Sequence, residues 1–143
     1  DLYNTPVNAF VAGFIGSPRM NLIGAIAEVG PNGTFLVSGE TRVAIPTQAD
    51  LPGGARCSYG IRPEHIGISE SGTPDVLATV SYAEHLGGET YLYCDVPGLP
   101  QITLHQSGQL PIAKGQQLPL LFDRSRMHLF GEDGHRISNG VDA

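Results

Sequence analysis

Ala55-Arg56-Cys57-Ser58-Tyr59-Gly60-Ile61-Arg62-Pro63-Glu64-His65 is the stretch from which the fold can be read. Ala55, Cys57, Tyr59 and Ile61 alternate with Arg56, Ser58, Gly60 and Arg62 until Pro63 breaks the pattern. Side chains of a strand point to opposite faces in turn, so this period of two predicts a half-buried strand. Proline has no N–H for the ladder, so Pro63 marks an edge or a bulge, where Arg62 and Glu64 can pair with each other or face another chain. Upstream, the alternation begins at Met20 and continues through Phe35 and Val37, then Val43 and Ile45. Downstream it returns at Val76 to Glu84, with Val76, Ala78, Val80 and Tyr82 on one face, and again at Thr90 to Val96, Gln101 to His105 and Gln117 to Phe122.

The breaks between these runs carry turn chemistry. Pro31-Asn32-Gly33 supplies the positive φ of a hairpin loop, and Leu51-Pro52-Gly53-Gly54 a second stop. Ser69 to Asp75 is polar and separates two groups of strands. No segment between strands has the length and 3.6 period of a crossover helix, which disfavours a parallel sheet. The expected fold is all-β: OB-like barrels of short antiparallel strands, with possible sub-barrels over residues 18–70 and 76–137. One short helix precedes them. Thr5-Pro6 is a helix start, Val7, Phe10, Val11 and Phe14 make one apolar stripe, and Gly16 and Pro18 stop it. The chain opens at Asp1 and enters this helix almost at once, so it reads as a piece of something longer, with 1–17 separate from a domain over 18–143.

Composition narrows the function. The 143 residues carry 8 Lys and Arg against 14 Asp and Glu, net −6, and Lys114 is the single lysine. Nucleic-acid binding would need a basic surface that neutralises phosphates, and this chain has none to offer. No apolar run nears the roughly 20 residues that span a bilayer. Cys57 and Cys94 lack any C-x-x-C spacing and read as reduced, buried side chains. His65, His85, His105, His128 and His135 are too irregularly spaced for a ligand pair, so no metal site is expected. A phosphate loop and a dinucleotide fingerprint are both missing, as is a serine-nucleophile elbow, so no catalytic or cofactor-binding residue is assigned. Glu84 and Glu89 read as solvated loop carboxylates, not as an acid and base pair.

Three constellations exceed plain packing. Phe14-Ile15-Gly16-Ser17-Pro18-Arg19-Met20-Asn21 joins the helix to the first strand. Gly60 to Ile66 sets a proline between opposite charges, and Glu84 to Thr90 is a glycine turn between two strands. Together with Asn4-Thr5-Pro6, His128-Leu129-Phe130, Asp133-Gly134 and Arg136, and in this order, they closely resemble the C-terminal regulatory domain of the ATP-binding subunit of carbohydrate-type ABC importers, the maltose and glycerol-3-phosphate transporter ATPase family. The likeness covers nearly the whole chain.

The resemblance implies a transport-associated (TOBE) OB-like domain with no catalysis of its own. ATP and Mg would belong to a nucleotide-binding domain outside this chain, whose terminal helix and linker are residues 1–17. It implies an interdomain corner at Phe14, Gly16, Ser17, Pro18, Met20 and Asn21. Contacts with a second copy or a regulator would lie at Arg62, Pro63, Glu64, His65, Leu86, Gly87, Gly88, Glu89 and Thr90. Implied partners are a second copy, membrane permease subunits reached through the ATPase domain, and a regulatory protein or small effector. The implied location is the cytoplasmic face of the bacterial membrane. A different class of function is also open: a small-ligand or oxyanion-binding barrel, with backbone N–H groups at Leu86-Gly87-Gly88 as the nest and Arg62 adding charge.

Overall fold

The computed structural model describes residues 20–45, 51–70 and 72–133. The expected helix at Thr5 to Ile15, and with it Phe14, Gly16, Ser17 and Pro18, lies outside the described residues.

Ten strands form two five-stranded antiparallel sheets. They are β1 (Asn21–Gly30), β2 (Gly33–Ser38), β3 (Thr41–Ile45), β4 (Arg56–Ile61), β5 (Ile66–Ile68), β6 (Val76–Leu86), β7 (Glu89–Asp95), β8 (Ile102–Ser107), β9 (Gln117–Phe122) and β10 (His128–Gly131). The first sheet runs β10-β4-β1-β2-β3 and the second β5-β9-β6-β7-β8. Both close on one apolar core, in which Ile23, Leu36, Tyr59 and Ile61 of the first sheet meet Ala78, Leu92, Leu104 and Leu120 of the second. The all-β, OB-like expectation holds.

Pairing crosses between the two chain segments at both ends. β5 follows β4 in sequence yet joins the second sheet, and β10 follows β9 yet pairs with β4 of the first. Each crossover is a single 3-10 turn, Pro63–His65 or Arg124–Arg126. The two turns run side by side, since Asp123 N–H donates to the His65 carbonyl at 3.1 Å. Pro63 therefore does not sit at a bulge or at a sheet edge. It ends β4, which is flanked by β10 and β1, and starts the turn that carries the chain to the other sheet.

The inward face of β4 is as read, with Cys57, Tyr59 and Ile61 buried. Burial pushes the Tyr59 phenol up to about 12 and the Cys94 thiol up to about 11. Two faces differ from expectation. In β2 the core takes Thr34, Leu36 and Ser38, while Phe35 and Val37 point outward, where the Arg42 guanidinium covers the Phe35 ring at 4.3 Å. In β6 the register slips between Val80 and Tyr82, so Tyr82 is 56% exposed instead of joining Val76, Ala78 and Val80. A bulge adds one residue to one strand, which reverses the facing of everything after it.

Candidate functional site

Two of the expected contact loops converge at one end of the second sheet, around β8. The first starts where Ile61 leaves β4. Arg62 is extended, Pro63 opens the 3-10 turn, and His65 N–H closes it on the Arg62 carbonyl at 2.9 Å. Arg62 is only 2% exposed, and its Nε–H donates to Glu64 Oε2 at 3.2 Å. Partial burial pushes the Glu64 carboxyl up, but a backbone hydrogen bond and the Arg62 guanidinium outweigh it and hold the group below its ordinary value. Partial burial holds His65 below the ordinary histidine range. Arg62 and Pro63 thus anchor the turn from inside, and Glu64 is its solvent-facing member.

The second loop is the β6–β7 hairpin. Gly87 has φ +59, a conformation that side-chain-bearing residues rarely adopt, and it lets the chain reverse within two residues. Thr90 is fully buried and acts as a staple: its hydroxyl donates to the Gly108 carbonyl at 2.7 Å and accepts from Leu110 N–H at 3.3 Å. Because that hydroxyl proton is spent on Gly108, the 3.1 Å contact between His85 Nδ1 and Thr90 Oγ1 requires the proton on Nδ1. Gly108 N–H donates to the Gly88 carbonyl, and the Gln109 amide to the Gly87 carbonyl. The turn is therefore lashed to residues 108–110, and it presents Leu86, 54% exposed, with Gly87 and Gly88 to solvent.

Gln106 joins the loops. It is the register partner of Thr90 and donates through Nε2 to the Ile66 carbonyl at 3.0 Å. Beside it, His105 Nε2 pairs with Glu89 Oε1, and the His105 ring stacks on Tyr91 with centroids 4.7 Å apart. The surface so assembled is mixed: Glu64, Leu86, Gly87, Gly88 and Glu89 reach solvent, and Arg62, Pro63 and Thr90 hold them from below.

Met20 and Asn21, the described part of the expected corner, are both buried and act within the chain. Met20 packs with Phe130 and Leu22 against the far side of the first sheet, where a Cβ on Gly60 would come 2.4 Å from its sulfur. Asn21 bridges the sheets. Its Oδ1 accepts from Thr103 N–H at 2.8 Å, and its Nδ2 donates to the Thr103 and Ile61 carbonyls at 2.9 and 3.1 Å. The carboxamide thereby completes the outward backbone of β8, an edge strand whose unpaired groups would otherwise be open.

Sequence reading did not single out Asp75 and Arg124. Asp75 accepts from Phe122 N–H at 2.7 Å and from both terminal nitrogens of Arg124 at 2.9 and 2.6 Å. The Arg124 Nε–H reaches the Ala44 carbonyl in β3, so this pair too crosses from one sheet to the other. Asp75 stands at the end of a polar run and Arg124 in a turn, and nothing local in either stretch marks the pairing. Among the described residues, no group of three or more His, Cys, Asp and Glu side chains is placed to hold a metal ion.

The guanidinium of Arg62 is buried beside Glu64, so it adds no exposed positive charge for an anion at Leu86-Gly87-Gly88.

The TOBE domain family matches residues 59–130, the stretch from β4 to β10 that contains both loops. The chain belongs to the TOBE domain family. The MalK OB-fold domain matches residues 16–66, which covers β1 to β4 and the crossover after them. Among curated relatives, the maltose/maltodextrin import ATP-binding protein MalK of Yersinia pestis bv. Antiqua is 33% identical over 138 residues, 94% of this chain and 37% of that protein. The MalK of Vibrio cholerae is 36% identical over the same shares. An ABC transporter ATP-binding protein of Sinorhizobium fredii is 38% identical over 96% of this chain and 36% of its own length. This TOBE domain thus spans a little over a third of the relatives it matches. In fold it is similar to the cytoplasmic molybdate-binding protein ModG, solved with molybdate bound, at a TM-score of 0.59 and 12% identity over 80% of this chain and 96% of that one.

Proposed function

We propose that this TOBE domain is the C-terminal regulatory part of the ATP-binding subunit of a bacterial sugar or sugar-phosphate importer of the maltose type, and that it holds two such subunits together. The observation that carries the reading is the alignment itself: nearly all of this chain matches a little over a third of each MalK relative, and the matched part carries no phosphate loop. ATP hydrolysis then belongs to the remaining part of the subunit, with ATP and Mg bound there and the permease subunits contacted from there. The subunit works at the cytoplasmic face of the membrane. No helix among the described residues is long and apolar enough to cross one.

The mechanism follows from tethering. A contact kept through the regulatory domains makes the second ATPase half an intramolecular partner, so nucleotide-driven closure does not require association in every cycle. A regulatory protein or small effector that binds the open arrangement better than the closed one inhibits by shifting the population towards it. The loop end carrying Glu64 and Leu86 to Glu89 is the contact assigned to the second copy, because it is held from beneath by Thr90 and Gln106 and exposes an apolar side chain, Leu86, across from Glu89.

Gly88→Cys tests this placement. A Cβ at Gly88 meets nothing within 4 Å, and the native Cys57 and Cys94 are buried with raised thiol pKa values, so the introduced thiol is the reactive one among the described residues. A short bis-maleimide is expected to link two copies through position 88. Gly30→Cys, equally open but at the β1–β2 turn of the other sheet, is expected not to be linked. Equal linking of the two variants, or none at position 88, overturns the assignment.

A further inference from the structure

The outer face of the second sheet is unlike any other surface of the described residues. Six large hydrophobic side chains are exposed there and elsewhere, and four of them, Leu77, Tyr82, Leu86 and Leu121, stand on this one face. Tyr82 sits opposite Tyr93, with ring centroids 5.8 Å apart, and Tyr91 lies one row further along the same side. The carboxylates of the face are Glu84, Glu89 and Asp95, and β5 to β9 contain no lysine or arginine at all. Tyr93 O–H donates to Glu84 Oε1 at 3.4 Å, which turns that carboxylate towards the rings. The basic side chain on this face, His105, is taken up with Glu89 and the Tyr91 ring, which leaves Tyr82, Tyr93, Glu84 and Asp95 as a tyrosine platform with carboxylates at its edge, and such a platform suits one kind of group. Guanidinium is planar, stacks on aromatic faces, and forms paired hydrogen bonds with carboxylates, while its weak hydration lowers the cost of leaving water.

We infer that this face docks an arginine-bearing segment of another protein, with a guanidinium group over Tyr82 and its charge met by Glu84 and Asp95. A second copy laid face to face would bring Glu84 and Asp95 no cation, whereas an arginine-bearing segment supplies one. The face adjoins the loop end assigned to the second copy and shares Leu86 and Glu89 with it, but its aromatic part lies further along β6 and β7, so Tyr82→Ser reports on docking and Leu86→Asp on self-contact.

The test is titration of the chain with a capped hexa-arginine peptide, with hexa-lysine as the comparison. Tyrosine emission is the readout: the chain has no tryptophan, and three of its five tyrosines are on this face. The arginine peptide is expected to bind at least fivefold more tightly than the lysine peptide. Tyr82→Ser should remove most of that preference. Glu84→Gln with Asp95→Asn should weaken arginine binding at least fivefold, while Glu40→Gln with Glu132→Gln, an equal loss of charge elsewhere, leaves it within twofold. Equal weakening by the two double variants would show general attraction to an acidic protein and overturn the inference, as would equal affinity for the two peptides. A dimer lost on Tyr82→Ser would assign the face to a second copy and overturn it as well.

Discussion

Asn21→Asp is expected to destabilise the fold by about 3 to 4 kcal/mol at neutral pH, more than Asn21→Ala at about 2. The native carboxamide is matched at both ends, its oxygen to an N–H and its nitrogen to two carbonyls. Alanine removes the partner of the outward Thr103 amide and of two carbonyls. Aspartate keeps the shape and the acceptor but points a charge at the Thr103 and Ile61 carbonyl oxygens, roughly 3 Å away in the native arrangement. That repulsion favours the protonated acid, so the folded-state pKa of the introduced carboxyl rises above its unfolded value of about 3.9. A raised folded pKa means that the penalty is small below the unfolded value and grows as pH climbs through the folded one. Urea unfolding of both variants at pH 4 and pH 7 measures this. The expected crossing is Asp at or above Ala in stability when acidic and below it when neutral. Asp and Ala variants of equal stability at pH 7 would contradict the bridging role.

The second large effect is at Asp75. Removing its side chain by Asp75→Ala deletes three accepted hydrogen bonds, two of them from a guanidinium held in fork geometry. Asp75 is 11% exposed, but Arg124 is 32% exposed and recovers part of its solvation, so the expected loss is about 2 to 3 kcal/mol and not the larger cost of a fully buried charge. Asp75→Asn, which still accepts from Phe122 N–H, should lose about half as much. A double-mutant cycle with Arg124→Ala is expected to return a coupling of about 1 to 2 kcal/mol. A loss under about 0.5 kcal/mol for Asp75→Ala would show that the pair is a surface ion pair of little weight.

Both residues hold the two sheets to each other, and neither announces itself in the sequence. Alternation made the strands legible, because Cys57, Tyr59 and Ile61 had to share a face once the chain was extended. It could not give the sheet to which a short strand belongs. Ile66–Ile68 and His128–Gly131 are too brief for a pattern, and their pairing is decided by the paired crossovers at Pro63 and Arg124. Facing was also open in β2, where Thr34 and Ser38 take inward places beside Leu36 and leave Phe35 to be covered by Arg42. Tyr82 was misplaced for a different reason, a bulge of one residue that no propensity marks.

The loops at Arg62 to His65 and Leu86 to Thr90 were recognisable as motifs, and the structure brings them together through Gln106, a residue with no motif of its own. What the motifs did not reveal is the division of labour within them. Arg62 and Thr90, though polar, are interior fasteners, and Leu86, though apolar, is exposed. The tyrosine face had a faint signal, two aromatics at Tyr91 and Tyr93 on the side of β7 away from Thr90, Leu92 and Cys94. Two rings at i and i+2 on the outward face of a core strand are worth noticing wherever alternation is read.

Self-association of the chain is measured by sedimentation equilibrium over a concentration series up to millimolar. The prediction is a reversible monomer–dimer equilibrium that Leu86→Asp weakens at least tenfold while the folded signal of the monomer is unchanged. A single monomer mass at every concentration, or a dimer indifferent to Leu86→Asp, would contradict it.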